Sequence, residues 1–135
     1  MTFERFEHKA DIGIRGKGKT VELAFCEAAK AMFSVECNIQ KVKPFRKINI
    51  KCKASNIEEL FVEWLNALLA QSSVHGMLFS KFYCKIKNNK LVGWAKGEKI
   101  QAKHELKIEV KAATYSELKV YRQDRLWTAQ CIVDV

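Results

Sequence analysis

Apolar positions recur along this chain with two different periods, and the change of period marks where one kind of element should give way to another. Val21, Ala24, Phe25, Ala28, Ala29, Met32 and Phe33 keep the i, i+3, i+4, i+7 spacing of a single helical face. Thr20 stands just before them as a capping oxygen, with Glu22 in the first turn where a carboxylate suits the helix dipole. From Phe45 to Ala54 the period shortens to two: Ile48, Ile50, Cys52 and Ala54 point one way, and Lys47, Asn49, Lys51 and Lys53 the other. That predicts a half-exposed strand. Ser55-Asn56-Ile57-Glu58 then has the form of a capping box, and Ile57, Leu60, Phe61, Trp64, Leu65, Leu68 and Leu69 make a second helical stripe. It should end near His75-Gly76, where the glycine can close the helix.

The rest reads as strand. Phe3 to Gly16 is extended, and Gly16-Lys17-Gly18 predicts a tight turn before the first helix. Phe82, Cys84 and Ile86 alternate with polar residues, Asn88-Asn89 marks a hairpin turn, and Leu91 to Ala95 returns. Leu106, Ile108, Val110 and Ala112 alternate with Lys107, Glu109 and Lys111, and further strands run from Leu118 to Arg122 and from Leu126 to Val133. Helices early and strands late predict an α+β class: two amphipathic helices packed on a mainly antiparallel β-sheet, in a single domain over residues 1–135.

Two carboxylates disturb this pattern. Asp11, in Phe6-Glu7-His8-Lys9-Ala10-Asp11-Ile12-Gly13-Ile14, and Asp134, in Cys131-Ile132-Val133-Asp134-Val135, each interrupt an apolar run. An ionised carboxylate removed from water costs several kcal/mol unless a cation or hydrogen bonds compensate. If the two runs pair as strands, the carboxylates converge on an oxygen-rich site suited to a hard divalent cation.

Several of these segments carry a family likeness. FEHKADIGIRGKGKTVELAF resembles the opening signature of the archease family, a Glu-His-x-Ala-Asp-x-Gly segment followed by a Thr-capped helix. Asn56 to Asn66 is similar to that family's central helix, His104 to Tyr115 to its C-terminal strand motif, and Ile132-Val133-Asp134-Val135 to its closing segment. The resemblance implies an accessory protein without chemistry of its own, serving an RNA-splicing ligase of the RtcB type. Such a ligase joins an RNA end bearing a 2′,3′-cyclic phosphate or 3′-phosphate to a 5′-hydroxyl. The accessory protein promotes guanylylation of the ligase's active-site histidine and its multiple turnover. The resemblance also implies a divalent cation held by two aspartates, which fall here on Asp11 and Asp134 with Val135 adjoining. Calcium is the expected ion, with magnesium or manganese as alternatives. Two aspartates are few for calcium, so carbonyls, waters and the terminal carboxylate of Val135 would complete its shell.

Charge and composition narrow the partners. With 24 Lys and Arg against 15 Asp and Glu, the 135-residue chain carries a formal charge of +9, which favours an acidic protein face or RNA. Many of the lysines are also what the wet face of a strand requires. Cys26, Cys37, Cys52, Cys84 and Cys131 are isolated, without a Cys-x-x-Cys pair, and read as small core residues rather than as disulfides or zinc ligands. Glu4, Arg5 and Glu7 interrupt any leader-like start and no apolar stretch is long enough to span a bilayer, so a cytoplasmic protein without membrane contact is expected.

His8, Arg15, Lys103, His104 and Lys111 are candidates to line the site or contact the ligase. For both histidines, hydrogen bonding to nearby backbone is the simpler role. Trp64 lies on the helical stripe and belongs to the core, whereas Trp94 and Trp127 fit core or surface. Gly13 to Thr20 satisfies the string G-x-x-x-x-G-K-[ST], but lies where strand and turn are expected, so nucleotide hydrolysis is poorly supported. Two rival functions remain: a stand-alone basic RNA-binding module, and a metal-dependent phosphoester or nucleotide hydrolase using Asp11, Asp134 and His8.

Overall fold

The computed structural model describes residues 1–8 and 11–135, with Glu7 and His8 described by their backbone. Its elements in order are β1 (Thr2–His8), β2 (Asp11–Gly18), α1 (Val21–Glu36), β3 (Arg46–Lys53), α2 (Ile57–His75), β4 (Met77–Lys87), β5 (Lys90–Lys99), β6 (Ala112–Ala113), β7 (Lys119–Gln123) and β8 (Leu126–Asp134). The α+β class with two helices and antiparallel pairing is as the sequence predicts. The strands divide into two sheets, one running β1-β2-β8-β6 with β7 also on β8, the other β3-β5-β4. All strand pairs among the described residues are antiparallel.

Both helices touch both sheets: α1 packs against β2, β8 and β4, and α2 against β3, β4 and β6. This sandwiched position explains why α1 buries Cys26, Ala31 and Val35 in addition to its predicted apolar face. Aromatic rings tie the layers together. Phe25 of α1 meets Phe61 of α2 at 5.0 Å, and Phe33 of α1 meets Phe79 and Phe82 of β4 at 5.6 and 5.7 Å. Trp64, fully buried, donates its indole N–H to the Phe25 carbonyl at 3.1 Å, so the one polar atom of the largest core side chain is satisfied.

Caps and turns follow local chemistry. The Thr20 hydroxyl accepts from the Leu23 N–H, and Gly76 closes α2 at φ 61°. The capping box of α2 sits one residue later than expected: Asn56 accepts from the Glu59 N–H, and the Glu59 carboxylate reaches the Ser55 N–H at 3.3 Å. Asn88 and Asn89 form the β4–β5 turn, both at positive φ, as a two-residue hairpin with the right-handed strand twist requires. Asp124 and Arg125 do the same between β7 and β8.

Three expectations are corrected. Phe3 to Gly16 is not one extended run but the hairpin of β1 and β2, with Phe6 opposite Gly13. Gly16-Lys17-Gly18 is not a turn: β2 continues through Gly18, and a Cβ at Gly16 would collide with backbone at Ala24 and Ala28. These glycines let helix and strand approach closely. Leu106 to Lys111 lies outside every strand, and only Ala112–Ala113 pairs. Its backbone is held by the end of α1 instead, with Lys107 N–H on the Glu36 carbonyl at 2.8 Å and Val110 N–H on the Glu36 carboxylate at 3.0 Å. The donors that a sheet would need are spent on a helix end, and Leu106 and Ile108 remain exposed.

Gly16→Ala should destabilise the fold by ~1–3 kcal/mol, because backbone rather than a movable side chain meets the added methyl. Thermal denaturation reads this directly, and an unchanged Tm would show that α1 can back away from β2 without loss.

Candidate functional site

The site begins with strand register. In the β2–β8 ladder Ile14 faces Cys131 and Ile12 faces Val133, so one further step along the same antiparallel pairing is Asp11 opposite Asp134. Directly opposed residues of such a ladder have Cβ atoms about 4.5–5.5 Å apart. The row extends on both sides: His8 pairs with Asp11, and Ala112 pairs with Asp134. Ile12 and Val133 pack toward the helices, so by alternation the two aspartates belong to the opposite face.

The local surroundings of Asp134 are well held. Lys111 N–H donates to the Asp134 carbonyl at 2.8 Å. The neighbouring strand β6 is clamped by Asn66 of α2, whose Oδ1 accepts from the Ala113 N–H at 2.8 Å while its Nδ2 donates to the Ala113 carbonyl at 3.3 Å. Asn66 thus completes β6 as a further strand would. Nothing in the sequence pattern singles it out beyond its place as a polar residue within an apolar helix. Thr114 adds a hydroxyl hydrogen bond to the Ile132 carbonyl at 2.8 Å.

One premise of the sequence argument changes. Asp134 is exposed and Asp11 is half-buried, so neither carboxylate is enclosed in an apolar interior. Both lie at strand ends, and their pull on a cation would come from proximity to each other rather than from desolvation. Val135 packs its side chain against the core, which leaves only its main-chain oxygens for any ion. An all-oxygen donor set of this kind suits calcium, magnesium or manganese with water completing the shell. Among the described residues there is no group of three or more His, Cys, Asp or Glu that could hold a metal ion.

The five other candidates separate. The His8 backbone is in the row with Asp11, and Lys111 adjoins Asp134 through its main chain. Arg15 is engaged on β2 with Glu4 at 2.7 Å and Gln130 at 2.8 Å, its guanidinium 4.6 Å from the centre of the Phe6 ring. Lys103 and His104 belong to a distinct network around Glu98. His104 is fully buried, its Nδ1 accepts from the Gln101 N–H at 3.0 Å, and its Nε2 lies 2.9 Å from the Glu98 carboxylate. With one ring nitrogen used as acceptor, the other is the donor. The imidazole therefore bridges the Gln101 backbone and the Glu98 carboxylate. Lys103 pairs with the same carboxylate at 3.0 Å and the Lys43 N–H donates to it at 2.9 Å. These donors, the Lys43 N–H first, hold the Glu98 carboxyl at about 2.

Other sequence candidates are settled by geometry. Gly13 to Gly18 is regular strand, so the Walker-like string forms no phosphate-cradling loop. The five cysteines are free thiols, four buried and Cys52 half-buried. Burial pushes the thiols of Cys37 and Cys52 up to about 11 and that of Cys131 up to about 12, which leaves them inert. Among the described residues, no helix is long and apolar enough to cross a membrane.

Comparison with known proteins agrees with the motifs. Residues 3–135 match the Archease protein family (MTH1598/TM1083). The chain is 41% identical to protein archease of Pyrococcus furiosus, covering 98% of each chain, and 41% identical to that of Sulfurisphaera tokodaii with the same coverage. The solution structure of Methanobacterium thermoautotrophicum protein 1598 superposes with a TM-score of 0.85 at 34% identity over 98% of both chains. A crystal structure of an archease from Thermotoga maritima, 22% identical, shares the fold with a TM-score of 0.65 over 98% of this chain and 96% of that one.

The Glu98 network sets a pH dependence. A carboxyl whose folded pKa is depressed stabilises the fold fully above the ordinary value of 4.5, and that stability is lost as pH falls from there toward about 2. Glu98→Gln should therefore flatten the acid limb of a stability-versus-pH curve between those values. An unaltered limb would show that other carboxylates carry the acid sensitivity.

Proposed function

Because the chain belongs to the archease family, we propose that it is a non-catalytic activator of an RtcB-type RNA-splicing ligase, acting through a divalent cation held by Asp11 and Asp134. The observation that carries this reading is the hydrogen-bonded pairing of β2 with β8 in a register whose next step is Asp11 against Asp134. Two carboxylates at such spacing repel one another, and a cation between them relieves that repulsion. When bound, the ion supplies a positive charge able to orient the phosphates of the nucleotide that modifies the ligase histidine. Asp11 and Asp134 bind it, a main-chain oxygen of Val135 adds to the shell, and the Lys111 N–H fixes the strand end that carries Asp134.

Asp11→Ala and Asp134→Ala are expected to abolish calcium binding by calorimetry and to remove stimulation of ligase guanylylation and turnover while the thermal melt stays close to wild type. Undiminished stimulation by either variant would refute a role for the pair. Turnover of nucleotides or phosphoesters by the purified protein alone would favour the hydrolase instead.

A further inference from the structure

We propose that the outer face of the β3-β5-β4 sheet binds single-stranded nucleic acid. The inner face of this sheet is closed by the helices, with Ile48, Ile50, Phe82, Leu91 and Ala95 buried. The outer face is built in rows that run across all three strands. Lys47, Lys96 and Lys81 make one row; Lys51 and Lys85 flank Val92 in another; Lys53, Lys90 and Lys87 close the hairpin end. These rows hold eight lysines and no carboxylate. Glu98, which follows Lys96 in the same alternation on β5, is withdrawn to 7% exposure and neutralised by Lys103. Among the described residues, the ion pairs between charged side chains involve Arg15, Lys30, Lys41 and Lys103, and none includes a lysine of this face.

So concentrated a positive field repels itself and gathers polyanions. What distinguishes a nucleic acid from an acidic protein is the row between the lysines, Asn49, Trp94 and Tyr83. The Trp94 and Tyr83 rings stack at 5.7 Å and 25°, Tyr83 is 49% exposed, and the Lys96 ammonium sits 4.7 Å from the centre of the indole. Stacked aromatics set in a basic surface provide what a single strand needs, π faces for unpaired bases and ammonium groups for the phosphates on either side. A duplex, whose bases are already stacked, gains only the charge term. The lysines required by a wet strand face do not account for a tryptophan and a tyrosine placed side by side among them.

The test uses the full chain and a labelled single-stranded RNA of about 15 nucleotides, with DNA of the same sequence, RNA duplex and poly-glutamate as competitors. The expected result is anisotropy-detected binding to both single strands, weaker for duplex and poly-glutamate, with quenching of Trp94 fluorescence that Trp94→Phe removes. Tyr83→Ala, at an exposed position, should weaken binding about 5- to 150-fold. Lys51→Glu with Lys85→Glu should reduce the salt slope by about 0.7 for each phosphate no longer neutralised. Absence of RNA binding, wild-type affinity in the Tyr83→Ala protein, or equal competition by poly-glutamate would overturn the proposal. No ligase or divalent cation enters these measurements, so the result stands apart from the two-aspartate reading.

Discussion

Pairing of the C-terminal strand β8 with β2 is the constraint on which the rest of the molecule depends. β8 is hydrogen-bonded on one edge to β2, and on the other to β7 along its first half and to β6 at its end. Its residues Ala129, Cys131 and Val133 enter the core while Gln130 turns to Arg15 on the other face. Because a strand's side chains alternate strictly, a slip of one residue would send that apolar set to the wrong side and part Asp11 from Asp134 at once. Core packing therefore enforces the register that the proposed two-carboxylate site requires.

Helix α1 transmits the same constraint to the second sheet. It lies on β2 where glycine leaves room for helix backbone, and presents Phe25, Phe33 and their neighbours to α2 and β4. Its last residue then performs two tasks that would otherwise fall to a strand neighbour. The Glu36 carbonyl holds Lys107 and its carboxylate holds Val110, while burial raises the Glu36 carboxyl above its usual range. The segment leading into β6, and through it the edge beside Asp134, is thus anchored to the helix layer rather than to the sheet.

The two outer faces are left with unlike chemistry. One carries Asp11 and Asp134 at strand ends; the other carries lysines around a stacked Tyr83 and Trp94. With the helices between the sheets, these surfaces face away from each other. That separation gives a physical form to the two readings of a basic chain, ligase accessory and nucleic-acid binder, which need not exclude one another.

Local chemistry written in the sequence determined both helices, their Thr20 and Gly76 boundaries, the Asn88-Asn89 turn and the β3 alternation, because each rests on residues within one or two turns of one another. The signature around Asp11 and the closing Ile132-Val133-Asp134-Val135 likewise sufficed to name the family. Tertiary structure decided what no local period encodes. Gly16 and Gly18 look like turn residues until a helix is laid across them, Leu106 to Lys111 looks like strand until Glu36 takes its N–H groups, and His104 looks available until Gln101 and Glu98 claim both ring nitrogens. Each outcome turns on a partner distant in the chain or on which side of a layer a residue falls, and only the assembled packing supplies that information.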